Sequence, residues 1–210
     1  IDTAMVGRLE SSGVALAAMG LGVLATWTLS SCFASLGNGT HIVVARRFGQ
    51  GKLTDAGIVL NNSLIISFLL GTIFGLAMYF YAFEAIDVFS SDEQVSILAG
   101  EYIKYRSIGL PFFLMAVSYR GFFYGIGQTN MFMFSAIITY VFNIIFNYLL
   151  IFGTFGFPRM GVAGAGLAAS IGMITGFLFF VIVTFFPEYR KKYRYYDLFA
   201  VGLKYIKPIV

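Results

Sequence analysis

Four apolar runs, each long enough to cross a lipid bilayer, constrain the fold of this chain more than any other feature. A spanning α-helix needs about 20 mostly apolar residues, and the runs reach that length between glycine, proline or charged positions. They cover residues 16–36, 61–81, 131–152 and 162–186. The sequence therefore predicts an all-α fold, a polytopic membrane helix bundle.

A fifth span, residues 95–125, is less regular. Its second half is apolar, but Glu101, Lys104 and Arg106 interrupt the first half. Long basic side chains near the end of a membrane helix can extend toward the lipid–water interface. We therefore predict one continuous helix over residues 95–125, with its charged first turns at the membrane surface.

The two ends of the chain add to this count. Residues 1–6 are apolar apart from Asp2 and resemble the end of a further helix, and no initiator methionine or signal peptide precedes them. The first run continues past Leu36 through Gly37-Asn38-Gly39 to Ala45, and the glycines predict a kink. We expect five complete transmembrane helices plus the end of a sixth, in a fragment of a longer protein.

Composition excludes several classes of protein. Charged residues make up 11% of the 210 positions, against roughly 25% in soluble proteins. The net charge of +4 does not indicate nucleic-acid binding, because the basic residues are scattered between apolar segments. We find no nucleophile elbow, zinc-protease helix or phosphate-binding loop motif, and one histidine cannot form a multi-histidine metal site. We predict that the chain is not an enzyme.

Loop charges alternate and predict the orientation, because cytoplasmic loops collect lysine and arginine. Arg46, Arg47 and Lys52 follow the first span, whereas the loop after the second span holds acidic residues and no basic ones. The segment after the last span is again basic. We therefore predict an N-terminal transmembrane lobe over residues 1–186 and a cytoplasmic linker over residues 187–210.

Three polar side chains are candidates for a functional site. An ionisable group inside a membrane span is costly and suggests a function, but Asp2 could equally meet water at the outer end of its helix. Asn143 and Asn147 lie four residues apart in an apolar helix and share a face. They either line a polar cavity or bond neighbouring helices.

Two basic side chains lie near the predicted inner ends of helices. Arg120 either contacts lipid headgroups or clamps an inner gate, and headgroup contact is the commoner role. His41 is the single histidine, and we favour a structural or interfacial role over proton relay.

Several motifs taken together resemble the multidrug and toxic-compound extrusion (MATE) family of cation-coupled antiporters. They are Ile1-Asp2-Thr3-Ala4-Met5-Val6-Gly7-Arg8, Ala15-Leu16-Ala17-Ala18-Met19-Gly20, Val44-Ala45-Arg46-Arg47-Phe48-Gly49-Gln50-Gly51, Arg120-Gly121, Gly125-Ile126-Gly127-Gln128-Thr129 and Gly161-Val162-Ala163-Gly164-Ala165. Their order and spacing extend over nearly the whole chain. This breadth is more specific than any one match.

The resemblance implies the N-terminal lobe of a two-lobe, twelve-helix transporter whose C-terminal lobe is missing here. It implies export of organic cations or other toxic compounds in exchange for protons or sodium, across what is expected to be a bacterial inner membrane. Asp2 matches the coupling carboxylate and a candidate sodium ligand, Asn143 the nearby amide, and Ser170 a hydroxyl of the sixth helix. Some family members have a second acid where this chain has Asn147, which cannot release a proton at physiological pH. No cofactor beyond the coupling ion is implied.

Two other functions stay open. A lipid-linked oligosaccharide flippase of the same superfamily would need a large cationic cavity for phosphates, for which Lys104, Arg106 and Arg120 are the deep candidates. A structural or receptor-like membrane scaffold would leave Asp2, Asn143 and Ser170 apart, each facing lipid or water.

Overall fold

The computed structural model describes residues 2–9, 12–90 and 92–194, and the regular structure of this part is entirely helical. The helices are α1 (Asp2–Val6), α2 (Ser12–Cys32), α3 (Ala34–Gly49), α4 (Leu53–Phe80), α5 (Ala82–Asp87), α6 (Glu93–Ser107), α7 (Leu110–Gly125), α8 (Asn130–Phe152), α9 (Gly161–Phe185) and α10 (Pro187–Tyr193).

Four helical stretches of the described chain are long and apolar enough to cross a membrane. They are Gly13–Gly49, which includes most of α2 and all of α3, and the helices Leu53–Phe80, Asn130–Phe152 and Gly161–Phe185. The four predicted apolar runs are thereby confirmed as helices. The second helix begins eight residues earlier than predicted, and Ala56, Val59 and Leu60 in its added turns are buried.

The predicted kink at Gly37-Asn38-Gly39 is wrong in position. The helix is interrupted at Phe33, between α2 and α3, with φ −91° and ψ −3°. Gly37 instead lies inside α3 against α7, where an added Cβ would approach Val117 Cγ1 to 2.6 Å. This glycine is used for close helix contact, which small residues allow in membrane bundles.

The predicted continuous helix over residues 95–125 is also wrong, because the chain breaks between Ser107 and Leu110. Pro111 has no N–H for a helical bond to the Ser107 carbonyl, and its ring disfavours helical geometry in the preceding residue. Lys104 and Arg106 consequently lie in the last turn of a separate helix, α6. They do not lie in the first turns of a long helix at the interface.

The chain divides into two compact units, each with its own core. The first unit comprises residues 1–30, 72–110 and 139–174. The largest fully buried side chains of its core are Met19, Ile86, Tyr102, Ile103 and Ile151. The second unit comprises residues 31–71, 111–138 and those from 175 onward. Its core includes Leu60, Tyr119, Phe122, Phe123 and Phe180.

Buried hydroxyls join three helices of the second unit. The Thr40 and Ser63 hydroxyl oxygens lie 2.6 Å apart, and Ser63 donates to the Ser118 hydroxyl at 2.7 Å. Ser67 lies 2.7 Å from the same Ser118 oxygen. All four residues are buried, so each hydroxyl meets the need for a partner within the network. The network ties α4 to α3 and α7.

The first part of the predicted linker packs in the second unit. Pro187 begins α10, where its missing N–H costs nothing. Tyr189 donates to Gln128 Oε1 at 2.6 Å. Tyr193 is buried in an edge-on contact with Phe122. The rest of the predicted linker, residues 195–210, lies outside the described residues.

Candidate functional site

Asp2, Asn147 and Asn143 form one hydrogen-bonded group in the first unit. Asn147 Nδ2 donates to Asp2 Oδ1 at 2.8 Å and to Asn143 Oδ1 at 3.0 Å. Asn147 is fully buried, Asn143 is 9% exposed and Asp2 is half-buried. Asn147, predicted to share a helix face with Asn143, therefore bonds an acid 145 positions away in sequence.

The packing of α9 against α8 fixes this group. A Cβ added to Gly172 would lie 2.9 Å from the Thr139 carbonyl oxygen and 3.2 Å from Asn143 Cβ. Only a glycine lets the two backbones come so close without displacing them. The small residues of α9 thus hold the asparagine-bearing face of α8 at a defined position.

The hydrogen bonds of Asn147 determine which donors and acceptors of the group are in use. Both donors of its amide nitrogen are in use, one of them by the Asp2 carboxylate. Its Oδ1 is buried and has no hydrogen-bond partner among the described residues. Carboxylate and amide oxygens are the ligands that hard cations prefer. The group suits a proton or a small cation better than an anion.

Ser170 lies in the first unit but bonds to a different element. Its hydroxyl accepts from the Gly109 N–H at 3.0 Å and lies 2.7 Å from the Tyr105 carbonyl oxygen and 3.0 Å from that of Arg106, to which it can donate. It makes no hydrogen bond with either asparagine in the described chain. The hydroxyl therefore bonds backbone groups at the break after α6, where buried polar groups need partners.

Sequence reasoning missed the pair Tyr102 and Arg106. Arg106 Nη1 donates to the Tyr102 hydroxyl at 2.9 Å, and its guanidinium carbon lies 5.7 Å from the centre of that ring. Tyr102 is fully buried and within electrostatic range of Asp2. The spacing of four residues between the two on α6 could have predicted this contact. It was obscured because the basic residues were assigned to the interface.

The described first unit holds one more cation close to an aromatic ring. Lys104 Nζ lies 5.0 Å from the centre of the Tyr79 ring, a cation–π contact between α6 and α4. Lys104 and Arg106 are both half-buried.

Arg120 and His41 belong to the second unit. The Arg120 guanidinium carbon lies 5.4 Å from the Phe132 ring centre. The His41 ring meets Tyr124 edge-on at 6.1 Å, and Tyr124 meets Phe132 in the same way at 5.8 Å. Both basic side chains are half-buried. The predicted choice for Arg120 between a gate and a headgroup contact stays a prediction.

Membrane-length helices with a carboxylate bonded to a buried amide define a polytopic membrane protein with a polar, ionisable group in its first unit. The MatE family model matches residues 1–149. The chain belongs to the MatE family, that of the multidrug and toxic-compound extrusion proteins, and is an integral membrane protein.

Curated relatives bear the description "Probable multidrug resistance protein NorM". The protein of Listeria monocytogenes serotype 4b is 27% identical, and its alignment covers 100% of this chain and 46% of the relative. The protein of Bacillus licheniformis is 28% identical over 81% of this chain and 37% of the relative. That of Agrobacterium fabrum is 30% identical over 75% of this chain and 34% of the relative. The chain thus spans less than half the length of these relatives.

Solved structures agree with the family assignment. The inward-facing conformation of a multidrug resistance MATE family transporter of the MOP superfamily matches with a TM-score of 0.86 and 25% identity, over 99% of this chain and 46% of that one. An outward-facing conformation matches with a TM-score of 0.85 and 25% identity, over 99% and 45%. A MOP superfamily transporter from Pyrococcus furiosus, 24% identical with a TM-score of 0.86 over 99% and 45%, shares the fold.

Proposed function

We propose that this chain is the N-terminal lobe of a secondary multidrug efflux antiporter, with Asp2 as its coupling carboxylate. The observation that carries the proposal is the hydrogen bond from Asn147 to Asp2, because it places a carboxylate among buried amides in a membrane protein. The NorM relatives, described as probable multidrug resistance proteins, support the efflux function.

Coupling follows from competition at one carboxylate. Ionised Asp2 accepts from the Asn147 amide and attracts a cationic substrate, whereas protonation or sodium binding neutralises it and weakens that attraction. The Asn147 amide also has an oxygen, and turning the amide over would present this oxygen to protonated Asp2 or to a bound sodium ion. A 180° turn of one buried amide would then accompany each change of occupant.

The remaining parts of the proposal concern the complete protein. A second lobe would follow this one, and rocking of the two lobes would expose the site alternately to each side. The basic loops favour a cytoplasmic position for residues 46–52 and for the linker, in a bacterial inner membrane. The partners would be the bilayer, the second lobe and a small, positively charged substrate, with no cofactor beyond the coupling ion.

Replacement of Asp2 by Asn in the complete protein tests the coupling role. The protein would be reconstituted into vesicles, and efflux of a cationic dye would be measured with a proton gradient and a sodium gradient imposed separately. We expect loss of gradient-driven efflux at unchanged expression. Asp55→Asn is the matched control, because Asp55 lies 3.9 Å from Arg47 in a partly exposed ion pair of the second unit. Full efflux by the Asp2 variant would refute the coupling role.

The flippase alternative is favoured by one observation, the presence of Lys104 and Arg106 in the first unit. Purified complete protein that binds a polyprenyl phosphate and drives no cation-coupled dye efflux would support the flippase.

A further inference from the structure

We propose that one end of the second unit binds the headgroups of anionic phospholipids. This region, the basic end, consists of residues 46–52, from the last turn of α3 to the start of α4, and of residues 187–194, which are α10 and the residue after it. The inference concerns the contact of the lobe with its membrane and does not depend on the coupling role of Asp2.

The charges of the second unit are mostly positive and gather at the basic end. The described part of this unit has eight lysine or arginine residues and two acidic ones, Asp55 and Glu188. Of the eight, Arg120 alone lies outside the basic end. The other seven are Arg46, Arg47, Lys52, Arg190, Lys191, Lys192 and Arg194. Even with both acids counted, this end is strongly positive.

The two segments of the basic end lie close together. The end of α10 packs on the first turns of α4, since a Cβ added to Gly57 would collide with the Tyr193 carbonyl oxygen. Gly57 follows Lys52 by five residues, about 8 Å along a helix. The bond from Tyr189 to Gln128 also holds α10 on the bundle. The basic residues of both segments therefore form one surface.

Most basic side chains of this surface are exposed and have no acidic partner among the described residues. The exposed ones are Arg46, Lys52, Arg190, Lys191, Lys192 and Arg194. The single ion pair found in the described chain joins Arg47 to Asp55, at 3.9 Å. Like charges held close together repel each other. A layer of phosphate groups would relieve this repulsion.

Three membrane-length helical stretches begin or end at the basic end. Gly13–Gly49 ends there, Leu53–Phe80 begins there, and Gly161–Phe185 leads directly into α10. A helix that crosses a bilayer ends near the lipid headgroups. The phenylalanines beside the basic residues are also exposed, at positions 48, 185 and 186.

This combination selects the partner. Exposed phenylalanines next to lysine and arginine are typical of segments that lie in the membrane interface. Clusters of basic residues beside a transmembrane helix attract anionic lipids. The occupant that fits the basic end is therefore a phospholipid with a net negative headgroup, such as phosphatidylglycerol.

The test measures thermal unfolding of the purified complete protein in a neutral detergent. Phosphatidylglycerol, phosphatidylcholine or glycerol 3-phosphate is added at equal concentration. We expect phosphatidylglycerol to raise the Tm of wild type more than phosphatidylcholine does, because a ligand that binds the folded state stabilises it. High salt should reduce this difference, since the screening length falls to about 3 Å at 1 M.

Double variants localise the effect, each compared with its own lipid-free Tm. Arg190→Glu/Lys191→Glu changes the charge of the exposed face of α10 and should lose most of the extra rise with phosphatidylglycerol. Arg8→Glu/Arg159→Glu is the matched control, because both arginines are exposed and belong to the first unit. Arg190→Lys/Lys191→Arg keeps the charge and should retain the rise.

The remaining outcomes would overturn the proposal. They are equal Tm rises with the two lipids in wild type, a rise that salt does not reduce, and equal lipid effects in the two charge-reversal variants. A rise with glycerol 3-phosphate as large as that with phosphatidylglycerol would show a site for soluble anions instead of a lipid contact. The salt comparison uses wild type alone, so it holds even if a variant fails to fold.

Discussion

Asn147 donates its side-chain amide to the carboxylate of Asp2 at 2.8 Å, and this bond joins helices α1 and α8 of the first unit. An acid at position 147 would place two carboxylates within hydrogen-bonding distance, whereas the asparagine supplies an N–H donor to Asp2. Asn147, which stands where some family members have a second acid, is thus the direct hydrogen-bond partner of Asp2.

Asn147→Asp should change the pH at which the site takes up its proton. Two carboxylates within hydrogen-bonding distance cannot readily both ionise, so the variant should retain one proton to a pH about one to two units higher. The measurement is proton release on binding of a cationic dye to the purified complete protein, as a function of pH. A profile identical to that of wild type would mean that residue 147 does not share the site.

Ser170→Ala should destabilise the protein. The substitution removes the bonds of the Ser170 hydroxyl to the Gly109 N–H and to the Tyr105 and Arg106 carbonyl oxygens. The Gly109 N–H keeps its bond to the Arg106 carbonyl at 3.2 Å, and loss of a hydrogen bond typically costs about 0.5–1.5 kcal/mol. Thermal unfolding in detergent should show a lower Tm. Ser35→Ala is the control, because Ser35 is exposed and bonds locally to the Cys32 carbonyl. Equal Tm values for the two variants would contradict this role of Ser170.

Gly121→Ala should be among the most harmful small substitutions in the second unit. The added Cβ would collide with the Gly37 carbonyl oxygen, a backbone atom that cannot rotate away. Overpacking of this kind typically costs about 1–3 kcal/mol. Gly20→Ala is the control, since an added Cβ there meets nothing within 4 Å, and alanine favours the helix. Detergent unfolding of both variants measures the difference, and a harmless Gly121→Ala would disprove the close α3–α7 contact.

The docking of α10 should weaken in strong alkali. Burial, and secondarily the nearby Tyr189, raises the pKa of Tyr193 above the ordinary value of 10.0. Because the folded pKa exceeds the unfolded one, the stabilisation is complete below pH 10.0 and is lost as pH rises through the raised pKa. Spectrophotometric titration against Tyr193→Phe isolates this phenol. Its ionisation at the ordinary pKa would show that Tyr193 is not buried.

The sequence predicted the features that depend on local pattern. Apolar runs determined the four membrane-length helices, and a spacing of four residues placed Asn143 and Asn147 on one face. Pro111 was also a local indication of the break between α6 and α7. It was outweighed because the apolar run after Ile108 favoured one long helix.

Features that depend on distant contacts could not be predicted. The partner of Asp2 comes from a helix far along the chain, so its position depends on packing that no local pattern encodes. The interruption at Phe33 involves no glycine or proline that could have predicted it. Gly37, which was expected to bend the helix, instead allows close contact with Val117. Ser170 was assigned by resemblance to the cavity, but the α6 break supplies three backbone partners for its hydroxyl.

The break after Ser107 also has an electrostatic consequence. A helix concentrates about half a negative charge at its last carbonyl groups, and a cation in that turn gains about 0.3–1 kcal/mol from it. Lys104 and Arg106 occupy that turn of α6. An unbroken helix over residues 95–125 would have moved this partial charge to the far end of the segment. The bend therefore stabilises these two half-buried cations, and straightening the helix would remove that stabilisation from both.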